Sequence, residues 1–327
     1  MKTFHASIGL CLALCSGLLL SSCQSSDSAP SSSTPVNQTD LSQSRSEQNS
    51  YKVMTPDWGI AATLTSIGYP PVAMGDKPFY KEWVGKPLIP ATTYDVGTRY
   101  QPNPEMFSQL DLDVVIDNSF YKHLQPMYGD LPIYSIELTS TNKVATWEDF
   151  IEPTLALGRS IGQPQAAQDY LDQSKSQIMQ AGQTFHQHYP NIKKLAVVQF
   201  ADTNNLRMFS YNSLFQPALD TMGLELVAFS DGNQWGFTPI MLGDLAKLDD
   251  DTCLVVVEPI GDLLKLELES SLIWQRLGYA FENNPTSAHK TRCLTLLPAT
   301  WNNSGVASMN VLADRLMNAT LVGNTNL

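Results

Sequence analysis

Basic residues are scarce in this chain of 327 residues. It contains 20 Lys and Arg against 32 Asp and Glu, which gives a net charge of −12. Proteins that bind nucleic acid need a basic surface, so this balance argues against a nucleic-acid partner. The sequence also lacks the P-loop, HExxH and strand-linked GxGxxG motifs of common enzymes. A binding protein is therefore favoured over an enzyme, and a surface-anchored hydrolase is the weaker alternative.

Long hydrophobic runs are missing as well. The one extended apolar segment, Ile8–Leu20, is shorter than the roughly 20 residues that a membrane span needs. It follows Lys2 and ends in Leu20-Ser21-Ser22-Cys23, which predicts a secretory signal peptide over residues 1–22. Small residues directly before a cysteine look like a bacterial lipoprotein box, with Cys23 as the lipidated residue. The alternative is an ordinary signal peptide with a chance cysteine.

Large apolar side chains are nearly absent from residues 23–50, which are rich in Ser, Gln, Asn and Thr. Such a segment cannot bury enough surface to offset the entropy of ordering it. We therefore expect a flexible tether here, which would hold a membrane-anchored lipoprotein through acyl chains on Cys23.

Cysteine is rare in the rest of the chain. Beyond Cys23 only Cys253 and Cys293 remain, each at the start of a predicted strand. They could form a disulfide if those strands are neighbours, and the alternative is two buried free thiols. No CxxC motif or histidine cluster suggests a metal site built by the protein.

Short apolar strands that alternate with helical patterns predict an α/β fold with mostly parallel sheets. We expect an N-terminal lobe over residues 51–145, helices over 146–190 and a C-terminal lobe over 191–327. One long helix, Gln165–His188, would act as a rigid spine, and the ligand cleft would lie between the lobes.

Three segments of the lobes have specific local predictions. Residues 76–90 read as an irregular stretch with aromatic residues. Arg207 is expected in a loop after a strand, and residues 240–248 in a helix.

The stretch Tyr94–Asn118 contains the candidate polar anchor of the cleft. A turn at Asp95-Val96-Gly97 precedes Arg99, and a buried strand, Val114–Ile116, follows a short helix. Ligands of α/β proteins bind in loops at strand ends, which favours Arg99 as a ligand contact. A lone loop arginine can equally be a surface or salt-bridge residue.

Several motifs together resemble the bacterial periplasmic ferric-siderophore-binding proteins of ABC importers, in particular the hydroxamate (ferrichrome-type) branch of these class III substrate-binding proteins. The resemblance covers roughly residues 53–322. The segments that carry it are Trp83 followed by Pro90, Asp95-Val96-Gly97-x-Arg99, Pro102-Asn103-x-Glu105, Asn212-Ser213-Leu214-Phe215-Gln216, Trp235-Gly236 and Pro298-Ala299-x-Trp301.

The resemblance implies roles for individual residues. The arginine after the turn reaches the iron-bound hydroxamate oxygens in that branch, and Arg99 matches it. A tyrosine makes a second polar contact, and its match is ambiguous between Phe120 and Tyr121. Tryptophans pack against the siderophore, and the residues that match or neighbour them are Trp58, Trp83, Trp235 and Trp301. No cofactor is expected, because iron would arrive inside the ligand.

The resemblance also implies partners, namely an ABC permease with its ATPase. Family members dock through one acidic residue on each lobe. Asp244 matches on the C-terminal lobe, whereas residues 121–125 contain no carboxylate on the N-terminal lobe. We expect a monomer that captures an iron(III) hydroxamate. Ferric catecholate, haem and cobalamin remain alternative ligands, although a triply anionic catecholate should need more cations than Arg99 and Arg207.

Overall fold

The computed structural model describes residues 51–282 and 291–325. Two β-sheets with flanking helices form two α/β lobes that are joined by one long helix. The predicted fold class is therefore confirmed. The predicted signal peptide, tether and Cys23 lie outside the described residues, as does the segment 283–290.

The N-terminal sheet is entirely parallel, with strand order β3-β2-β1-β4-β5. The strands β1 and β4 are short apolar runs that are buried along their whole length, as expected for the centre of a parallel sheet. The strands are β1 (Val53–Thr55), β2 (Ala73–Met74), β3 (Tyr94–Asp95), β4 (Val114–Asp117) and β5 (Ile133–Ser135).

The C-terminal sheet is mixed, with the order β11-β10-β6-β7-β9 and with β8 paired to β6. The pairs β6–β7 and β7–β9 are antiparallel, and the other pairs are parallel. The strands are β6 (Lys194–Phe200), β7 (Asn205–Phe209), β8 (Glu225–Leu226), β9 (Phe237–Met241), β10 (Thr252–Val257) and β11 (Leu294–Leu297).

Nine α-helices pack around the sheets in the described part of the chain. They are α1 (Trp58–Ser66), α2 (Lys77–Trp83), α3 (Pro104–Ser108), α4 (Ile151–Ser160), α5 (Pro164–His188), α6 (Phe215–Met222), α7 (Asp262–Ser270), α8 (Leu272–Leu277) and α9 (Val306–Met317). Three 3₁₀ helices cover Ser119–Tyr128, Trp147–Phe150 and Leu242–Lys247.

Three local predictions are wrong. The stretch predicted as irregular contains α2, which begins after Asp76 with a proline in its first turn. Arg207 lies within β7 and not in a loop. The predicted helix over residues 240–248 is the end of β9 followed by a 3₁₀ helix. Pro239 obscured β9, which tolerates proline because it is an edge strand.

The two lobes meet where α1 approaches the segment before α9. A Cβ atom at Gly59 would lie 2.2 Å from the backbone oxygen of Asn303, so only glycine allows this approach. The Thr63 hydroxyl donates to the backbone oxygen of Ser304 at 3.4 Å. The long helix α5 packs against α4, α6 and α9, and thereby connects both halves.

The parallel pairing of β10 and β11 brings Cys253 and Cys293 together. Both side chains are fully buried, and a disulfide joins them with a Cα–Cα distance of 4.6 Å. Among the described helices, none is long and apolar enough to cross a membrane.

Candidate functional site

A cavity of about 590 Å³ lies at the carboxyl ends of the strands of both sheets. Asp57 follows β1 and Asn118 follows β4 on one wall, whereas Glu258 follows β10 and Trp301 follows β11 on the other. In the N-terminal sheet, the chain leaves β1 toward β2 on one side and reaches β4 on the other. Open α/β sheets bind ligands at such a switch point, so the topology itself places a site here.

Arg99 is held at the cavity by two neighbouring side chains. Its backbone N–H donates to Asp76 Oδ2 at 3.0 Å, and its Nη2 donates to the Tyr100 hydroxyl at 2.7 Å. Its Nε lies 3.8 Å from the same Asp76 oxygen. Only 13% of the Arg99 side chain is exposed. The guanidinium is therefore oriented by contacts within the protein itself.

Two glycines allow this position of Arg99. A Cβ atom at Gly75 would lie 2.6 Å from the Arg99 Cα atom, so the backbone after β2 passes directly against Arg99. Gly97 has a φ of +84°, which favours glycine in the turn before Arg99. These two steric requirements explain why glycine is needed at both positions around Arg99.

Aromatic rings surround the Arg99 guanidinium. Its Cζ lies 3.9, 4.9 and 5.6 Å from the ring centroids of Trp58, Tyr100 and Trp301, respectively. These distances fit cation–π contacts. Trp58 is only 4% exposed, and its Nε1 donates to the backbone oxygen of Gly75 at 2.9 Å. Trp58 therefore lies behind Arg99 and supports it from the protein side.

The structure brings six of the seven predicted ligand contacts to the cavity wall. The wall residues are Trp83, Arg99, Phe120, Tyr121, Trp235 and Trp301. Trp58, the seventh, contacts Arg99 and Trp301 but does not line the cavity.

Phe120 and Tyr121 differ in exposure. Tyr121 is 2% exposed, and burial raises the pKa of its hydroxyl, which therefore stays protonated. Phe120 is 46% exposed, and its ring centroid lies 5.6 Å from that of Trp235 on the opposite lobe. The exposed position opposite the C-terminal lobe is thus occupied by a phenylalanine. Its ring can make apolar contacts with a ligand but cannot form a hydrogen bond through a hydroxyl.

Asp57 and Asn118 are wall residues that the sequence reasoning missed. The Asn118 amide donates to Asp57 Oδ2 at 3.0 Å, while Asp57 Oδ1 caps α1 by accepting the Ile60 N–H at 2.8 Å. Burial raises the pKa of the Asp57 carboxyl, and the Ile60 N–H, the Asn118 amide and the charge of Arg99 oppose that shift. The available signal was the position of each residue within two residues of a strand end.

The loop after β8 positions Trp235 on the C-terminal wall. The Trp235 N–H donates to Asn233 Oδ1 at 2.8 Å, and its backbone oxygen accepts from the Asn302 amide at 3.0 Å. Gly236 follows with a φ of +75°. These contacts connect the loop of Trp235 to the loop of Trp301, so the two tryptophan loops support each other.

Arg207 is the second arginine of the wall. Its Nη1 donates to Gln199 Oε1 at 3.3 Å, and its Cζ lies 5.2 Å from the Phe237 ring centroid. Both partners also line the cavity. Arg207 thus brings a second positive charge that sequence reasoning placed in a loop.

The charged residues of the wall are nearly balanced. Three carboxylates, Asp57, Glu137 and Glu258, face the same cavity as the two arginines. Within residues 51–282 and 291–325, no group of three or more His, Cys, Asp or Glu side chains is arranged to hold a metal ion. An aromatic wall whose charges nearly cancel suits a bulky ligand of low net charge.

The predicted docking residue Asp244 has partners within the protein. Its carboxylate accepts from the Met241 N–H and from Lys247, both at 2.8 Å, and Lys247 lowers its pKa. The side chain is 30% exposed. On the N-terminal lobe, Glu105 is an exposed carboxylate in the first turn of α3, and the described structure gives it no ion-pair partner.

Comparison with known proteins identifies a family. The family model described as periplasmic binding protein matches residues 53–283. The iron(3+)-hydroxamate-binding protein FhuD of Escherichia coli is 22% identical over 206 residues, which cover 61% of this chain and 66% of that protein.

Solved structures share the fold. The structure of the siderophore-binding protein FhuD from Vibrio cholerae with bound Fe³⁺–Desferal superimposes with a TM-score of 0.69 at 18% identity, over 82% of this chain and 97% of that chain. The catecholate-siderophore-binding protein VctP from Vibrio cholerae has a TM-score of 0.54 at 16% identity, over 82% and 94% of the two chains. The same fold thus occurs in a protein with bound Fe³⁺–Desferal and in a catecholate-siderophore-binding protein.

Proposed function

This chain belongs to the periplasmic binding protein family, and from that membership we propose that it captures a ferric hydroxamate siderophore and delivers it to an ABC permease. The observation that carries the proposal is Arg99, a pre-oriented guanidinium at the edge of an aromatic cavity. The role of such a protein is binding and release, with no chemical step of its own.

The chemistry of the ligand agrees with this cavity. A hydroxamate oxygen bound to Fe³⁺ retains negative character, and a guanidinium offers several donors in one plane. The siderophore would supply the coordination sphere of iron, so the protein needs only to recognise its outer surface. Trp83, Phe120, Trp235 and Trp301 provide that surface on both lobes.

A ferric catecholate is the main alternative, because relatives of the same fold include a catecholate binder. A triply anionic chelate would meet two arginines but also Asp57, Glu137 and Glu258 on the cavity wall. The electrostatic balance therefore favours a hydroxamate of low net charge. Haem and cobalamin remain less favoured ligands, and a surface hydrolase is the least favoured alternative.

We propose that the lobes over residues 51–145 and 191–327 clamp the ligand, with the helices of 146–190 between them. Lipidation at Cys23 would keep the protein at the membrane on the periplasmic side. No further cofactor is needed for this role.

Docking on the permease would use one carboxylate from each lobe. Asp244 follows β9 and Glu105 lies in α3, which follows β3, so both lie near the strand ends that border the cleft. We propose Glu105 as the N-terminal counterpart of Asp244. The variants Glu105→Gln and Asp244→Asn should reduce ligand-stimulated ATP hydrolysis by the reconstituted importer without changing siderophore affinity. The variant Asp130→Asn, at an exposed site, is the matched control, and unchanged stimulation in Glu105→Gln would contradict this assignment.

Tryptophan fluorescence of the soluble protein from residue 50 onward tests the ligand class, because Trp83, Trp235 and Trp301 line the cavity. We would titrate ferrichrome, ferrioxamine B, a ferric catecholate, haem and cobalamin. Saturable quenching at micromolar or lower concentration with the hydroxamates only is the expected result. Tight binding of another ligand class instead would overturn the hydroxamate assignment while keeping the transport role.

A further inference from the structure

We propose that this cleft prefers ferric hydroxamates that carry a protonated amine, and that Glu137 is the counter-ion of that amine. The inference rests on the proposed function and refines its substrate class. It starts from the charges that line the cavity.

Acidic side chains outnumber basic ones on the cavity wall. On the wall itself, the three carboxylates Asp57, Glu137 and Glu258 face the two arginines Arg99 and Arg207. Asp76 lies behind Arg99, with Oδ2 3.8 Å from the Arg99 Nε, and offsets part of its charge. A chelate with one positive group would therefore meet a more favourable wall than a neutral or anionic chelate.

The three wall carboxylates differ in the hydrogen bonds and ion pairs that their oxygens form within the protein. Both oxygens of Asp57 accept hydrogen bonds, from the Ile60 N–H and the Asn118 amide. Glu258 Oε1 lies 3.8 Å from the Lys265 Nζ, which offsets its charge.

Glu137 is the wall carboxylate with the fewest hydrogen-bond and ion-pair partners within the protein. Its Oε1 accepts the Ser119 N–H at 2.7 Å, which fixes the carboxylate beside the wall. Glu137 is exposed, and among the described residues its Oε2 has no hydrogen-bond partner and no Lys or Arg lies within ion-pair distance. A carboxylate that is oriented by the backbone but lacks a cation fits an ammonium group of the ligand.

The two polar anchors then suit the two ends of one ligand. The Arg99 guanidinium would face the negative hydroxamate oxygens around the iron, and Glu137 would face a cationic amine on the siderophore arm. Opposite charges at two places in one cavity also fix the orientation of the chelate. A siderophore without the amine would bind through Arg99 and the aromatic surface alone.

The test compares ferrioxamine B, which has a free terminal amine, with its N-acetyl derivative, which has the same iron centre without the charge. We expect the wild-type protein to bind ferrioxamine B about fivefold more tightly at low salt, since a partly exposed ion pair contributes modestly. The preference should decrease as the NaCl concentration is raised. The variant Glu137→Gln should bind the two ligands with nearly equal affinity.

The matched control is Glu148→Gln, because Glu148 is exposed and lies outside the cavity wall. It should retain the wild-type preference. Equal affinity of the wild-type protein for the two ligands would overturn this inference while the hydroxamate function stands. A preference that persists in Glu137→Gln would overturn the role of Glu137. Binding of neither ligand would overturn the inference together with the proposed function.

Discussion

Arg99 concentrates the polar chemistry of the candidate site in one side chain. Its guanidinium is oriented by the Asp76 carboxylate near Nε and by the Tyr100 hydroxyl, and is surrounded by the rings of Trp58 and Trp301. Because the protein itself makes these contacts, binding would cost little ordering of this side chain. Pre-orientation of this kind distinguishes Arg99 from an ordinary surface arginine.

The variant Arg99→Ala should weaken ferric hydroxamate binding by roughly 1.5–3 kcal/mol, the usual cost of losing hydrogen bonds to a charged group. Isothermal titration calorimetry measures this loss. The control is Arg276→Ala, since Arg276 is exposed on α8, away from the cavity wall. Wild-type affinity in the Arg99 variant would remove Arg99 from the site.

Asp57 should make the stability depend on pH. Its pKa is raised in the folded state, mainly by burial, so folding favours the protonated carboxyl. Its contribution to stability is therefore complete below the unfolded-state pKa, about 4, and is lost as the pH rises through the higher folded-state pKa.

The variant Asp57→Asn remains neutral and retains a good helix-capping residue. The free energy of unfolding of Asp57→Asn minus that of the wild-type protein should therefore be larger at pH 7 than at pH 3.5. Urea denaturation at the two pH values measures this change. The control variant Asp130→Asn, at an exposed residue, should give a smaller change. A difference that stays constant or decreases with pH would show that burial does not control this carboxyl.

Sequence reasoning could find Arg99 because a turn motif and a strand flank it. It could not find the Asp57–Asn118 hydrogen bond, because that contact depends on β1 and β4 being neighbours in the sheet. The exposure of Phe120 and the burial of Tyr121 depend on the 3₁₀ helix that carries both. Local sequence patterns identify side chains that can bind a ligand. Which of these side chains contact each other is decided by the order of the strands in the sheet.

Among the secondary-structure elements, the central strands of both sheets were predictable from the sequence. Helix α2 and the antiparallel edge of the C-terminal sheet were not. β1, β4, β6 and β10 are apolar runs whose burial matches their sequence. α2 was missed although Asp76 and Pro78 form a helix-start signal, because a helix of 7 residues is too short to show a clear helical period. The antiparallel edge of the C-terminal sheet was missed because Pro239 interrupts its pattern.

The disulfide between β10 and the residue before β11 should stabilise the C-terminal lobe. It closes a loop with a sequence separation of 40, which corresponds to about 4 kcal/mol in the chain-entropy treatment. The variant with Cys253→Ala and Cys293→Ala should lose up to that free energy of unfolding, as measured by chemical denaturation without reductant. Equal stability of the variant and the oxidised wild-type protein would argue against a bond in the folded protein.

At the scale of the whole molecule, contacts between the lobes should limit their relative motion. The long helix α5, the close approach of Gly59 to Asn303 and the ion pair of Lys86 with Asp314 at 2.9 Å all connect the two halves. Loops at the cleft can adjust while these contacts persist. The molecule is therefore expected to bind its ligand without a large hinge closure.

Small-angle X-ray scattering with and without ferrioxamine B tests this expectation. The radius of gyration should stay the same within the error of the measurement, since preorganised binding sites move little on binding. A clear compaction on ligand addition would contradict a rigid connection between the lobes. A lysozyme sample measured with and without the same chelate controls for scattering by the ligand itself.

The most direct test of the central claim is a crystal structure with ferrioxamine B and anomalous data at the iron edge. We expect one iron peak in the cavity, with hydroxamate oxygens within about 2.7–3.2 Å of the Arg99 guanidinium and aromatic contacts from both lobes. An iron peak outside this cavity, or one coordinated directly by protein side chains, would contradict it.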